Sequence, residues 1–169
     1  MLDHVLRHAS ENIKRTYITA FDLRKAFDSV SHQAVFVALK GQSIDPEFVK
    51  IIEFMYRNSS TTFAPFSDHD FSPTCGVKQG DPLSSILFNL VIDELIRNLR
   101  GRVGLTIDGS SMSISAYADD ILLFDSSPPG LQHLLDETTC FLSKCNLQIN
   151  CSKSLQLQSL RIPKIKRLK

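Results

Sequence analysis

Three aspartates stand where packing alone would not put them. Asp22 interrupts the short apolar run Tyr17–Leu23 (YITAFDL), and Asp119 and Asp120 are adjacent, between the apolar segments SISAYA and ILLF. A carboxylate at the edge of apolar strands is costly unless it is paired or holds a cation. Neighbouring carboxylates repel each other, and a divalent cation is their natural neutraliser. Oxygen donors of this kind suit Mg2+, which keeps several waters and takes further ligands from substrate phosphates. Two such ions about 4 Å apart can activate an attacking hydroxyl and stabilise a leaving phosphate oxygen. The plainer alternatives are an Asp22 that caps a strand end or faces solvent, and an Asp119-Asp120 pair that only makes a turn.

A second segment could meet an anion. Gly76-Val77-Lys78-Gln79-Gly80-Asp81-Pro82-Leu83-Ser84-Ser85 carries polar and glycine residues straight into a helix start. The first turn of a helix has free backbone N–H groups that attract phosphate, and glycines let a nucleic-acid strand approach the backbone closely. Alone, the segment reads equally as a loop before a well-capped helix. His4 and His8 sit at i, i+4 on a helical stretch, but a zinc site there lacks a Glu or third ligand nearby. Cys75, Cys140, Cys145 and Cys151 form neither a CxxC pair nor a spaced metal set. They read as reduced thiols of an intracellular protein.

The elements that must position these residues follow from spacing. Leu2, Val5, Leu6, Ala9 and Ile13 predict an N-terminal helix. Tyr17–Leu23, β-branched and apolar on both faces, predicts a central strand. Ser31 caps a helix to Gly41, and Asp45-Pro46 opens another, in which Phe48, Ile51, Ile52 and Met55 follow at helical spacing. Thr61–Phe66 and Phe71–Val77 read as strands joined by the polar turn SDHD. Asp81-Pro82 starts a helix that runs to about Arg100. Val103–Ile107 and Met112–Tyr117 flank the hairpin signal DGS, and Ile121–Phe124 is a further strand. Ser127-Pro128 opens a helix with Leu131, Leu134, Leu135, Thr138 and Leu142 on one face. Leu147–Ile149 ends the series as a last strand. Interleaved helices and hairpin-linked strands predict an α+β fold, a small antiparallel or mixed sheet backed by helices.

The chain has 169 residues, 43% hydrophobic and 22% charged, which fits one globular domain and excludes a disordered or fibrous one. No apolar run approaches a membrane span, and MLDHVLRHASENIKR lacks the apolar core of a signal peptide. With 19 basic and 18 acidic residues the net charge is +1, so any basic surface is local. One such bias is the acid-free run Arg161–Lys169, which holds Arg161, Lys164, Lys166, Arg167 and Lys169. It reads as a solvated terminus or as a phosphate-binding arm.

Four segments in order resemble reverse transcriptases. AFDLRKAFDSV resembles the first palm motif, GVKQGDPLSS the second, AYADD the third, and LQINCSKS, with Asn150 and Lys153, the fourth. QGDPLSSILFNLVIDEL is most similar to non-LTR retrotransposons of the type that insert into ribosomal DNA, with group II intron maturases a more distant match. The resemblance covers roughly Lys14 to Ser154. It implies a polymerase palm over residues 1–154, a basic tail over 155–169, and RNA-directed DNA synthesis. It further implies that Asp22, Asp119 and Asp120 are the catalytic carboxylates and, with the Leu23 carbonyl, ligate two Mg2+ ions, which Mn2+ could replace. Phe27 would exclude a ribose 2′-OH, with plain core packing as its alternative. Gln79 and Gly80 would lie along the template and nascent base pair. Lys153 would reach the triphosphate or protonate pyrophosphate, unless it is a plain surface lysine. RNA template, DNA primer and dNTPs are the implied partners, with no membrane, and the location is nuclear.

Some features depart from the family pattern. Ser85 stands where the family usually has Pro. The stretch before the first motif is too short for most of the fingers, and SLQLQSLRIPKIKRLK resembles neither primer grip nor thumb. No endonuclease or zinc-knuckle segment is recognised. Two expectations result: the palm core of a longer element protein, or a remnant palm that binds nucleic acid without turning over.

Overall fold

The computed structural model describes residues 15–63, 66–101, 104–107 and 109–157. The expected N-terminal helix with His4 and His8, and the basic run Arg161–Lys169, lie outside the described residues. In chain order the elements are β1 (Tyr17–Asp22), α1 (Ala26–Ser29), α2 (His32–Gly41), α3 (Pro46–Arg57), β2 (Thr61–Phe63), β3 (Phe66–Phe71), α4 (Pro82–Leu99), β4 (Leu105–Ile107), β5 (Ser110–Met112), β6 (Ile114–Tyr117), β7 (Asp120–Asp125), α5 (Pro128–Lys144), a 3-10 turn (Cys151–Lys153) and β8 (Leu155–Leu157). The chain divides into two compact units. The first holds β1 to Leu23, Leu95–Phe141 and the chain from Ile149; the second holds Arg24–Glu94 and Leu142–Gln148. No helix among the described residues is long and apolar enough to cross a membrane.

The first unit is built on a four-stranded antiparallel sheet in the order β6-β7-β1-β8. β1 is central, as its two-faced apolar pattern requires. Its register against β7 pairs Ile18 with Phe124, Ala20 with Leu122 and Asp22 with Asp120. Because side chains alternate along a strand, these six share one face, while Phe21 and Leu123 lie on the other. At one end of the first face, Ile18 and Phe124 join Leu105 and Ile107 of the β4–β5 hairpin in a buried cluster. Burying each such side chain contributes about 1.5–3 kcal/mol. The other end of that face carries the aspartates. The unit's further buried apolar side chains include Phe21, Leu23, Ile121 and Leu123 of the sheet and Leu95, Leu99, Leu131 and Leu134 of the helices.

In this unit two expected strands, Met112–Tyr117 and Leu147–Ile149, differ from the structure. Met112–Tyr117 is not one strand: β5 pairs with β4 and β6 with β7, and buried Ser113 lies between them. Ser113 Oγ donates to the Leu99 carbonyl at 3.2 Å, and its own carbonyl accepts from Phe124 N at 2.8 Å. A change of backbone partner leaves no mark on apolar periodicity. Leu147–Ile149 is likewise not the last strand. Ile149 makes only an isolated bridge to Leu23, and the chain turns through Cys151–Lys153 into β8, which pairs with β1 at the sheet edge. β8 falls within the stretch read as the start of the tail. Three residues are too few to show a pattern, and edge pairing uses backbone groups that any residue carries.

In the second unit the helix starts form as their signals predict. Ser31 Oγ accepts from Ala34 N at 3.2 Å, and Asp45 Oδ1 accepts from Glu47 N at 2.8 Å ahead of Pro46. Lys40 and Glu53 pair at 2.6 Å between α2 and α3. The buried stripe of α3 is Val49, Ile52 and Tyr56, whereas Phe48, Ile51 and Met55 are exposed. Both sets have helical spacing, so periodicity alone cannot choose between them. Tyr56 decides it, with its ring edge-on to His32 and Phe36 of α2. SDHD is not a turn but lies inside β3, because Phe63 already pairs with Phe66. Phe71–Val77 is not a strand either. After β3 the chain is irregular and is tied by Gly76 N to Val30 O at 2.8 Å and Val77 N to Phe27 O at 2.7 Å.

Gly76 shows why a strand is impossible there. Its φ is +86°, and a Cβ would come within 2.9 Å of the Asp28 carbonyl oxygen. Gly109 has a similar φ of +79° but open space around it. Gly109→Ala should therefore cost about 1 kcal/mol from backbone strain alone. Gly76→Ala should cost about 3 kcal/mol, because overlap with backbone adds to the strain. Urea denaturation of the two variants measures the difference.

Candidate active site

The antiparallel pairing of β1 and β7 sets Asp22 directly across from Asp120. Directly opposed residues on one sheet face have Cβ atoms about 4.5–5.5 Å apart, and like charges so placed repel. Asp119 stands in the two-residue loop Ala118-Asp119, which joins β6 to β7 through the pair Tyr117↔Asp120. Such tight hairpins need positive φ, and Ala118 adopts φ 52° without being glycine. Its neighbour Asp119 is held by its carbonyl, which accepts from Leu23 N at 3.2 Å. That backbone bond sets Asp119 beside the Asp22-Leu23 step of the chain. The structure thus brings together Asp22, Leu23, Asp119 and Asp120, which are almost 100 residues apart in sequence. Tyr117 shares the aspartate face and is 84% exposed.

Lys153 joins them. Its Nζ lies 3.1 Å from Asp22 Oδ2, the oxygen that also accepts from Asn150 Nδ2 at 3.0 Å. Asn150 N donates to the Asp22 carbonyl at 2.8 Å, so Asn150 grips both backbone and side chain. The amide is itself oriented: Ser152 Oγ donates to Asn150 Oδ1 at 2.7 Å, and Ser154 Oγ to its carbonyl at 2.8 Å. The Lys153 ammonium, then the Asn150 amide, hold the Asp22 carboxyl below the usual carboxylate range against the opposing effect of burial. Asn150 is the site residue that the sequence reading did not assign a role, although its motif spacing to Lys153 was the available signal. Tyr117 was missed too, because only strand register shows which face it takes.

Among the described residues no three His, Cys, Asp or Glu side chains are grouped closely enough to hold a metal ion by themselves. Mg2+ does not need that many. It is usually bound by one or two carboxylates, with water and substrate phosphate completing the shell. Asp22 opposite Asp120, with Asp119 in the adjoining loop and an ammonium already paired to Asp22, fits that donor chemistry.

Phe27, Gln79 and Gly80 belong to the second unit. The Phe27 ring is half-buried and stacks on the buried Phe88 at 4.7 Å. Gln79 is exposed, its Nε2 donating to Asp28 Oδ1 at 2.7 Å, and Gly80 is exposed with open space where a side chain would stand. The loop before α4 rests on Tyr56, over whose ring Lys78 Nζ lies at 5.9 Å. Burial pushes the Tyr56 hydroxyl above the usual phenol range. Ser84 Oγ donates to the Lys78 carbonyl, and Asp81 Oδ1 accepts from Leu83 N at 2.9 Å. The first turn of α4 is thus capped from within the motif.

Comparison with known proteins yields consistent likenesses. The family described as reverse transcriptase (RNA-dependent DNA polymerase) matches residues 1–163. The chain is 40% identical over 155 residues to the Pol polyprotein of the type-2 retrotransposable element R2DM of Drosophila melanogaster, covering 90% of this chain and 15% of that protein. It is 32% identical to the Pol polyprotein of the type-1 element R2 of Nasonia vitripennis, covering 100% of this chain and 17% of that one. The chain therefore spans about a sixth of the length of these relatives. In fold it is similar to apo telomerase from Candida tropicalis, with a TM-score of 0.70 at 13% identity over 93% of this chain and 31% of that one. Telomerase from Candida albicans, in complex with a fragment of telomeric RNA, gives a TM-score of 0.65 at 14% identity over 93% of this chain and 29% of that one.

The Lys153–Asp22 pair predicts a pH dependence of stability. Asp22 has its pKa lowered in the folded protein from the ordinary 3.8. Its contribution to stability is therefore fully present above that ordinary value and is lost as pH falls through the lowered one. The gap in urea midpoint between the native chain and Lys153→Met should be constant near neutrality and should shrink on acidification below about pH 4.

Proposed function

Given that this chain belongs to the reverse transcriptase (RNA-dependent DNA polymerase) family, we propose that residues 1–154 are the palm core of a retrotransposon polymerase. It copies an RNA template into DNA by adding dNTPs to a DNA primer. The observation that carries this reading is the β1–β7 register, with Asp22 opposite Asp120 and Asp119 in the adjoining loop. We infer a nuclear location, where the chromosomal target of such an element lies.

The reaction joins the primer 3′ oxygen to the α-phosphorus of a dNTP in line, and the bond to pyrophosphate breaks. No side chain need act as a nucleophile. Asp22, the Leu23 carbonyl, Asp119 and Asp120 would hold two Mg2+ or Mn2+ ions, which supply activation of the hydroxyl and neutralise charge on the departing oxygen. The chain's own contribution is positional: rigid paired strands hold the carboxylates, and misplacement by an ångström can cost about 10²-fold. Phe27 excludes a ribose 2′-OH by collision, and its half-buried ring braced on Phe88 supports that role. Gln79 and Gly80 lie along the template and nascent base pair, where open space at Gly80 permits close approach. Lys153, 69% exposed, reaches the triphosphate or the leaving pyrophosphate.

The test joins this chain to the flanking segments of a relative such as the R2DM Pol polyprotein and measures RNA-templated primer extension. The joined protein should extend, and Asp119→Asn should lower the rate by about 10³-fold or more. Extension insensitive to Asp119→Asn would overturn the assignment. In the same protein Phe27→Val should raise ribonucleotide incorporation relative to dNTP by about tenfold or more; unchanged discrimination would return Phe27 to core packing.

A further inference from the structure

The Asp22 carboxylate already carries a counter-charge on one of its two oxygens. Its Oδ2 accepts from Asn150 Nδ2 at 3.0 Å and forms an ion pair with Lys153 Nζ at 3.1 Å. These two partners differ in kind. Asn150 is neutral and fixed, bonded through its backbone to Asp22 and braced by Ser152 and Ser154. Lys153 is a cation on a three-residue turn, 69% exposed, facing a carboxylate that is only 15% exposed. A long exposed side chain leaves such a pair cheaply, because hydration of the ammonium replaces most of what it loses. Its charge offsets a locus crowded by Asp22, Asp119 and Asp120.

We propose that Lys153 is the resident counter-cation of Asp22, and that a divalent ion binds there in competition with it. Asn150 stays behind to keep the carboxylate in position. This rests on the reading of Asp22 as a metal ligand. Two cations held at one carboxylate repel each other, so ammonium and metal compete for Asp22, and removing the ammonium favours the metal. Once displaced, the ammonium is free for an anion. Triphosphate and divalent ion then assist each other's binding through one side chain, since whatever draws Lys153 away from Asp22 lowers the competition the metal meets.

The experiment is direct Mn2+ binding to this chain, read at low ionic strength from the paramagnetic resonance signal of free Mn2+, with far-UV spectra to check that each variant folds. Lys153→Met and Lys153→Gln should each bind Mn2+ about two- to fivefold more tightly than the native chain. Lys153→Arg, which keeps the pair, should stay near the native affinity. Lys50→Met, with the same change of charge on the exposed side of α3, should have a smaller effect than Lys153→Met. Asp22→Asn should lose binding. Asp22-dependent binding that is unchanged or weaker in both Lys153→Met and Lys153→Gln would overturn the displacement while leaving the metal site standing. Binding equally tight in Asp22→Asn would instead overturn the metal reading of Asp22 itself.

Discussion

The pairing of β1 with β7 is the constraint from which the site follows. Strand side chains alternate, so a one-residue slip would carry Asp22 to the opposite face and take Ile18 out of its cluster with Leu105 and Ile107. The slip is prevented by apolar burial at the far end, where Ile18 faces Phe124 and both pack on Leu105 and Ile107. The hydrophobic effect thus fixes the register, and the register sets two carboxylates against each other. Their repulsion is a cost that the fold accepts at one end of a sheet whose other end is tightly packed.

Local departures from ordinary preference gather around that cost. Ala118 takes a positive φ in the loop that presents Asp119. An L-residue there carries strain of about 1–2 kcal/mol, which glycine would relieve while loosening the loop. Asn150 spends its amide on Asp22 instead of capping the turn it precedes. Lys153 lends a charge. Each feature is unfavourable or neutral by itself, and together they hold a charged constellation on rigid strands.

The second unit is organised around a buried aromatic instead of a charge. Tyr56 packs on His32 and Phe36, and the motif loop lies over it through Lys78. His32 Nε2 and the Gly76 carbonyl are 3.0 Å apart, which ties α2 to the same loop. The GVKQGDPLSS segment is thereby anchored at both ends, by a glycine that tolerates contact with Asp28 and by an internally capped helix. Between these anchors Lys78, Gln79 and Gly80 stay exposed. Among the described cysteines only Cys145 is buried, and burial pushes its thiol up to about 11, which makes it inert near neutral pH.

What residue type and spacing determined by themselves was local. Ser31, Asp45-Pro46, Asp81-Pro82 and Ser127-Pro128 each begin a helix within the sequence, because capping is a contact between near neighbours. The two-faced run Tyr17–Leu23 marked a central strand for the same reason. The anomalous aspartates, and the family motifs around them, could be picked out from the apolar segments they interrupt. Tertiary structure alone decided the matters that depend on distant partners. Val49, Ile52 and Tyr56 are buried instead of Phe48, Ile51 and Met55 because of what α2 presents. Met112–Tyr117 divides at Ser113 because its two halves pair with different strands. The edge strand is Leu155–Leu157 because β1 had an unpaired side to fill. Above all, no spacing in the chain could place Asn150 and Lys153 on Asp22, some 130 residues away, since strand register is set by packing at the far end of the sheet and not by the residues that it brings together.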